Sequence, residues 1–151
     1  EEDAVDNINS LDQVAQVLEQ NGYAVQLEED AVYTGVGGSE NPFTAVLSIN
    51  DTTRQLLINC QLATLGDLEE EVLTATALAA LDANTRVCPY AYAIISEADD
   101  PDLDNEQKWP LVLTDSMPLG GLSDDELMAN IDSLWQAIAA SREVLEIGLG
   151  K

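Results

Sequence analysis

The chain has 151 residues, 46% of them hydrophobic, with 29 acidic side chains against five basic ones, a net charge of −24 and no histidine. A field of that sign repels phosphate backbones and anionic lipid, which argues against direct binding to nucleic acid or to a membrane surface. Without histidine the commonest general base and the usual partner of a nucleophilic Ser or Cys are missing, so triad and zinc-protease mechanisms find no support.

The length suits one globular domain over 1–151 that buries roughly 70% of its unfolded surface. No run of about 18 apolar residues exists, so no segment is expected to span a membrane. The start, Glu1-Glu2-Asp3, is neither basic nor apolar and carries no signal-peptide pattern. The acid reads either as a salt-adapted solvation layer or as an attractive field for a basic partner. Cys60 and Cys88 are too few for a disulfide framework and lack metal-ligand spacing, which leaves a reduced, cytoplasmic setting as the default.

In chain order, Ser10-Leu11-Asp12-Gln13 is a capping box that opens a first helix of about 12 residues, with an apolar stripe of Leu11, Val14, Val17 and Leu18 and a stop at Gly22. Residues 23–27 and 32–36 are extended, separated by the turn-like Glu28-Glu29-Asp30. Gly35-Val36-Gly37-Gly38 is not a phosphate loop, because a strand follows it where that loop needs a helix.

Residues 43–49 and 55–62 are the clearest strands. Phe43, Ala45, Leu47 and Ile49 alternate with polar neighbours, as do Leu56, Ile58, Cys60 and Leu62, and Asn50-Asp51-Thr52-Thr53 between them predicts an antiparallel hairpin. The sequon Asn50-Asp51-Thr52 is read as turn chemistry. Val46 and Leu57 are apolar intrusions on the polar face of this hairpin and are candidate partner contacts.

Asp67 and Glu70 form a second capping box for a helix whose inner side is expected at Leu68, Val72, Ala75 and Ala79. Ala75 and Ala79 belong to a small-residue run, 75–83, that admits another backbone closely, either inside the fold or at a subunit contact. A strand within 87–96 has Tyr90, Tyr92 and Ile94 on one side, residues 97–108 are a polar loop, and 109–115 is a last strand.

Ser123-Asp124-Asp125-Glu126 then caps one long helix over 123–147, with Leu127, Ile131, Leu134, Trp135, Ile138 and Leu145 as its stripe, Asn130 on another face, and Gly148 as its stop. Such a helix would be roughly 37 Å long. The order of elements predicts an α+β domain whose antiparallel sheet is covered by helices.

Asp100, Asp102 and Asp104 match calcium-loop positions one, three and five, but Asn105 replaces the turn glycine and Leu111 the bidentate Glu, so they are weak metal candidates. Nothing else suggests a metal or cofactor. Carboxylate pairs are too abundant for any one of them to single out a catalytic site.

Three stretches carry a resemblance. They are Leu78-Ala79-Ala80-Leu81-Asp82-Ala83-Asn84-Thr85 followed by the 90–95 strand, Leu111-Val112-Leu113-Thr114-Asp115-Ser116-Met117-Pro118, and Leu122-Ser123-Asp124-Asp125-Glu126-Leu127. With the order of elements, they make the chain resemble the YbjN-like sensory transduction regulators and, more distantly, the small acidic chaperones of type III secretion. The resemblance covers nearly the whole chain. It implies a type III secretion chaperone-like domain of helix, strands, helix, strands, helix, often dimeric, that binds proteins and is not an enzyme. Chaperones of this class hold an extended client segment along apolar patches. The family offers no catalytic residues to carry over, and this chain departs from it in its charge and its acidic loop.

The expected function is thus noncatalytic binding of a protein client, or of a second copy as a homodimer, through the face of Val46 and Leu57 or through Ala75 and Ala79. A second reading is a small-ligand or divalent-cation module using the acidic loop 97–108. A third is an acidic mimic of nucleic acid that occupies a basic groove.

Overall fold

Helix α1, Leu11–Gln20, begins where Ser10 leaves extended backbone and its Oγ accepts from Gln13 N at 3.3 Å. The return half of this cap is displaced by one residue, since Gln13 Oε1 accepts from Asn9 N at 2.7 Å. Gly22, at φ 89°, lets the chain reverse, with Gly22 N donating to Glu19 O at 3.1 Å and Tyr23 N to Leu18 O at 3.0 Å. That pair of bonds satisfies two end carbonyls, and the left-handed residue between them suits glycine.

A computed structural model of the chain describes residues 8–38, 43–64, 68, 70–95 and 110–149. After α1 come β1 (Val25–Leu27), β2 (Val32–Val36), β3 (Phe43–Asn50), β4 (Gln55–Thr64), α2 (Leu73–Ala83), β5 (Ala91–Ile94), β6 (Pro110–Pro118), α3 (Asp124–Ala140) and α4 (Arg142–Leu149). The strands form one six-stranded antiparallel sheet in the order β1-β2-β3-β4-β6-β5, so the fold is α+β as expected. Its contacts fall into two compact units, Glu1–Cys60 with Asp115–Asp132 and Gln61–Thr114 with Ser133–Lys151.

In the first unit, β3 and β4 make the predicted hairpin, with Ala45 opposite Cys60, Leu47 opposite Ile58 and Ile49 opposite Leu56. At its tip Asn50 Oδ1 accepts from Thr52 N and Thr53 N at 3.0 and 3.2 Å, which is the turn chemistry the sequence shows, and Arg54 takes a positive φ of 54°. Ala45, Leu47, Leu56, Ile58 and Cys60 are sealed from solvent, and Val14, Val17 and Leu18 of α1 are equally buried as that helix packs on β1, β2 and β3. Each fully buried aliphatic side chain of this kind contributes about 1.5–3 kcal/mol. Thr34 is buried too, and its hydroxyl donates to Ala24 O at 2.9 Å.

The opposite face of β2–β4 is open. Tyr33 and Gly35 of β2 stand beside Val46 and Thr44 of β3, and Ser48 and Val46 beside Leu57 and Asn59 of β4. Asn130 corrects an expectation: it is 7% exposed, not solvated, because its Nδ2 donates to Asp115 Oδ2 at 2.7 Å.

In the second unit, helix α2 opens at Leu73 after a 3-10 turn over Glu70–Val72, with no side-chain cap. Asp67, the expected cap, lies outside the described residues. The helix buries Thr76, Ala80 and Ala83, leaving Ala75 exposed and Ala79 half-buried, and α4 packs against it. Periodicity misplaced this stripe because α2 is apolar on nearly every side, so spacing alone does not choose a face.

The single 123–147 helix is also corrected. The chain breaks at Ser141 into α3 and α4, and α4 runs through Gly148 instead of stopping at it. Ser141 Oγ donates to Ala137 O at 2.7 Å and lies 2.7 Å from Tyr92 Oη, while Ser141 N is shared between Ala137 O and Ile138 O at 2.9 and 3.1 Å. A serine that bonds back to the i−4 carbonyl competes with the helix ladder and bends it. Beyond the break Val144 is buried and Leu145 only partly, and Trp135, placed in the stripe by its spacing, is 38% exposed.

The capping box at α3 is present in full: Glu126 N donates to Ser123 Oγ at 3.2 Å and Ser123 N to Glu126 Oε1 at 3.3 Å.

Candidate protein-binding surfaces

Three places on the described residues combine exposure with shape. The first follows from α2. Its inward side is small, so its larger apolar residues point elsewhere: Leu78 and Leu81 are 61% and 64% exposed. These two are spaced i, i+3 and share a neighbourhood on the helix surface. Next to Leu78 lies an apolar groove of about 240 Å³, lined among others by Leu68, Leu73, Ala77, Ile94 and Leu111.

Strand β5 ends the sheet order, so among the described residues one of its backbone edges has no strand partner. Ile94 and Ile95 at its end are 44% and 40% exposed. β5 is anchored at its start by Tyr92 N, which donates to Asn84 Oδ1 at 2.6 Å just beyond α2. A fixed sheet edge beside an apolar groove is suited to take an extended segment.

The second place is the open face of β2–β4, where Val46 and Leu57 sit diagonally across the β3–β4 register and Tyr33 stands directly opposite Val46. Val46 and Leu57 are half-buried and Tyr33 is exposed.

The third is an open cleft of about 570 Å³ at the start of α1, lined by Leu11, Leu27 and Ile49 with the carboxylates of Asp12, Glu28, Glu29, Asp30 and Asp51.

Val46 and Leu57 belong to the first unit, Ala75 and Ala79 to the second, and of the latter pair only Ala75 is freely exposed. Asp100, Asp102 and Asp104, with the acidic loop they belong to, lie outside the described residues. Leu78, Leu81, Ile94 and Ile95 were not singled out from the sequence; the i, i+3 pair on an otherwise small-residue helix is the signal that marks the first two.

Among the described residues no group of three or more His, Cys, Asp or Glu side chains is placed to hold a metal, and no helix is long and apolar enough to cross a membrane. Cys60 and Cys88 are both free thiols; Cys60 is buried, as its strand position suggests, and burial pushes its pKa up to about 12, which keeps it protonated and unreactive. Burial also pushes the Tyr92 phenol up, against the opposing pulls of its Ser141 hydrogen bond and the Arg86 charge. Arg54 and Arg86 pair with Asp51 and Asp82 at 3.3 Å each; both pairs are solvent-exposed and contribute little.

Neither a family model nor a curated protein matches this sequence. Solved structures do match its fold. YbjN from E. coli aligns with a TM-score of 0.65 at 12% identity, over 91% of this chain and 95% of that one. A chain of the ExsC–ExsE complex aligns with a TM-score of 0.58 at 11% identity, over 90% of this chain and 96% of that one. An uncharacterized protein from Methanothermobacter thermautotrophicus aligns with a TM-score of 0.56 at 15% identity, over 89% and 96%. The fold is thus the one the sequence stretches resemble.

Proposed function

We propose that this chain is a noncatalytic, cytoplasmic protein-binding domain, chaperone-like or regulatory, that holds a segment of a client protein and does not bind nucleic acid. The observation that carries the reading is the apolar surface of α2 and β5: Leu78, Leu81, Ile94 and Ile95 are exposed, beside a groove and a sheet edge that has no strand partner among the described residues. Clustered exposed apolar side chains mark an interaction surface, and the edge supplies main-chain hydrogen bonds to an extended client while the groove takes its side chains. The likeness to a chain of the ExsC–ExsE complex supports the same reading at the level of fold. The net charge of −24 speeds encounter with basic clients and disfavours phosphate backbones.

The test is site-specific photocrosslinking in native cells. A crosslinker at position 78 or 81 captures the same protein repeatedly, and one at Gln16, on the exposed side of α1, does not. The captured protein, purified, binds the chain in titration and loses at least about tenfold in affinity to Leu78→Asp/Leu81→Asp, the range of interface hot spots. Equal capture from all three positions, or an unchanged affinity, refutes the reading.

A further inference from the structure

We infer that a small cavity beyond the end of α2 is a binding site for a free aliphatic α-amino acid of about the size of valine. The cavity, of about 230 Å³, lies within the second unit. Ala83 and Val87 wall it from the end of α2 and the turn that follows, and Ala139, Ala140 and Val144 wall it from the two sides of the break at Ser141. All five are short apolar side chains. Two charged groups of opposite sign complete the lining, Arg86 and Glu143. Arg86 is placed by the turn beyond α2, where its N donates to Ala83 O at 2.8 Å, and Glu143 by the first turn of α4.

The pairing of signs selects the ligand. Arg86 and Glu143 line one cavity, yet among the described residues they are not paired with each other: the ion pair of Arg86 goes to Asp82 at 3.3 Å and uses one guanidinium nitrogen. A guanidinium has five N–H donors, so others remain for a carboxylate, and the Glu143 carboxylate is an acceptor for an ammonium. A carboxylate and an ammonium joined by one carbon that also bears an aliphatic side chain is an α-amino acid, with its side chain on the alanine and valine wall. The size agrees: the cavity has the volume of about eight waters in the liquid, and valine has as many non-hydrogen atoms. The field of the whole chain favours the same choice. A net charge of −24 repels a free anion, and a free amine or metal cation is drawn to any of the 29 carboxylates without needing a cavity. A ligand carrying both charges is neutral overall, so its affinity depends on the groups it meets. The two other cavities lack this pairing: the cleft at α1 is lined by carboxylates with no cation, and the groove at α2 and β5 by no charged side chain.

This inference goes beyond the client reading and does not rest on it. The test is an NMR titration of the whole ¹⁵N-labelled chain with L-valine, with isovalerate, which is valine without its ammonium, and with isobutylamine, which is valine without its carboxylate, each to about 50 mM. The expected result is saturable binding of L-valine with a Kd of about 0.1–10 mM, the range for so few atoms in a half-open site. The shifted amides fall within 83–87 and 139–144, and at those amides isovalerate and isobutylamine bind at least about fivefold more weakly. Five substitutions at exposed positions locate the contacts. Arg86→Gln and Glu143→Gln each weaken valine at least about fivefold, as each removes a charged hydrogen-bond partner. Ala139→Leu fills the cavity and abolishes binding. Arg142→Gln, which removes a cation outside the lining, and Leu78→Asp, on the client surface, change it less than about twofold. No saturation by L-valine at about 50 mM overturns the inference. So does isovalerate or isobutylamine binding as tightly as valine, a set of shifted amides centred elsewhere, or equal losses from Arg86→Gln and Arg142→Gln. Failure of the crosslinking test at positions 78 and 81 leaves all of these results unchanged.

Discussion

At the junction between α3 and α4, Ser141 and Tyr92 share a buried hydrogen bond whose partners are unequal. Ser141 is 1% exposed and Tyr92 6%. Ser141 spends its own proton on Ala137 O at 2.7 Å, so in the 2.7 Å contact with Tyr92 the phenol must be the donor. Ser141→Ala therefore strands a buried donor, at a cost of about 1–3 kcal/mol. The better helix propensity of Ala returns roughly 0.5 kcal/mol of this. Tyr92→Phe removes the donor instead and leaves Ser141 bonded to Ala137, a loss of about 0.5–1.5 kcal/mol. The double variant loses less than the sum of the two, by a coupling of about 1 kcal/mol. Urea unfolding followed by circular dichroism, with unchanged slopes, measures all three. Additivity within about 0.3 kcal/mol, or a Ser141→Ala variant more stable than its parent, would refute the role given to this bond.

Three further outcomes follow from single features. Gly22→Ala meets no atom within 4 Å but must hold φ 89°, so it lowers stability by about 1 kcal/mol, seen as a melting temperature about 2–4 °C lower. Ser123→Ala removes the acceptor for Glu126 N at 3.2 Å and costs about 1 kcal/mol, whereas Ser123→Asp retains most of the stability. Cys60 is held protonated in the folded chain up to about pH 12, while the unfolded thiol ionises near its ordinary 9.0. The unfolded state therefore loses its proton first, so this contribution is complete below pH 9 and falls as pH rises from 9 toward 12. Tyr92, raised above 10.0, adds a loss of the same sign from pH 10 upward. A Cys60→Ala variant whose urea midpoint falls as steeply as its parent's between pH 9 and 11 would contradict this.

The sequence was most legible where local chemistry and tertiary packing agree. The capping residues Ser10 and Ser123 and the alternation in β3 and β4 each point to one arrangement, and the structure has it. Their signals are short-range: a hydroxyl within three residues of a free N–H, or a period of two. The misplacements share the opposite origin. Asn130 is buried with an acceptor on β6, Asp115, fifteen residues away, and Ser141, where the helix breaks, meets a phenol 49 residues away; neither partner leaves a mark in the local pattern. In α2 the pattern is present but degenerate, since Ala and Leu occupy most positions and the buried side is decided by what packs on it. Of the candidate surfaces, Val46 and Leu57 were readable because they break an alternation. The α2–β5 surface needed the sheet order, which put β5 at an edge.

Hydrogen exchange of the chain with and without its photocrosslinked client tests the central claim most directly, that this protein acts by holding a segment against α2 and β5. The account predicts slowed exchange in Leu73–Ala83 and Ala91–Ile94, with Leu11–Gln20 unchanged. Protection centred on Leu11–Gln20 and the acidic turn 28–30, or none in either place, would contradict it.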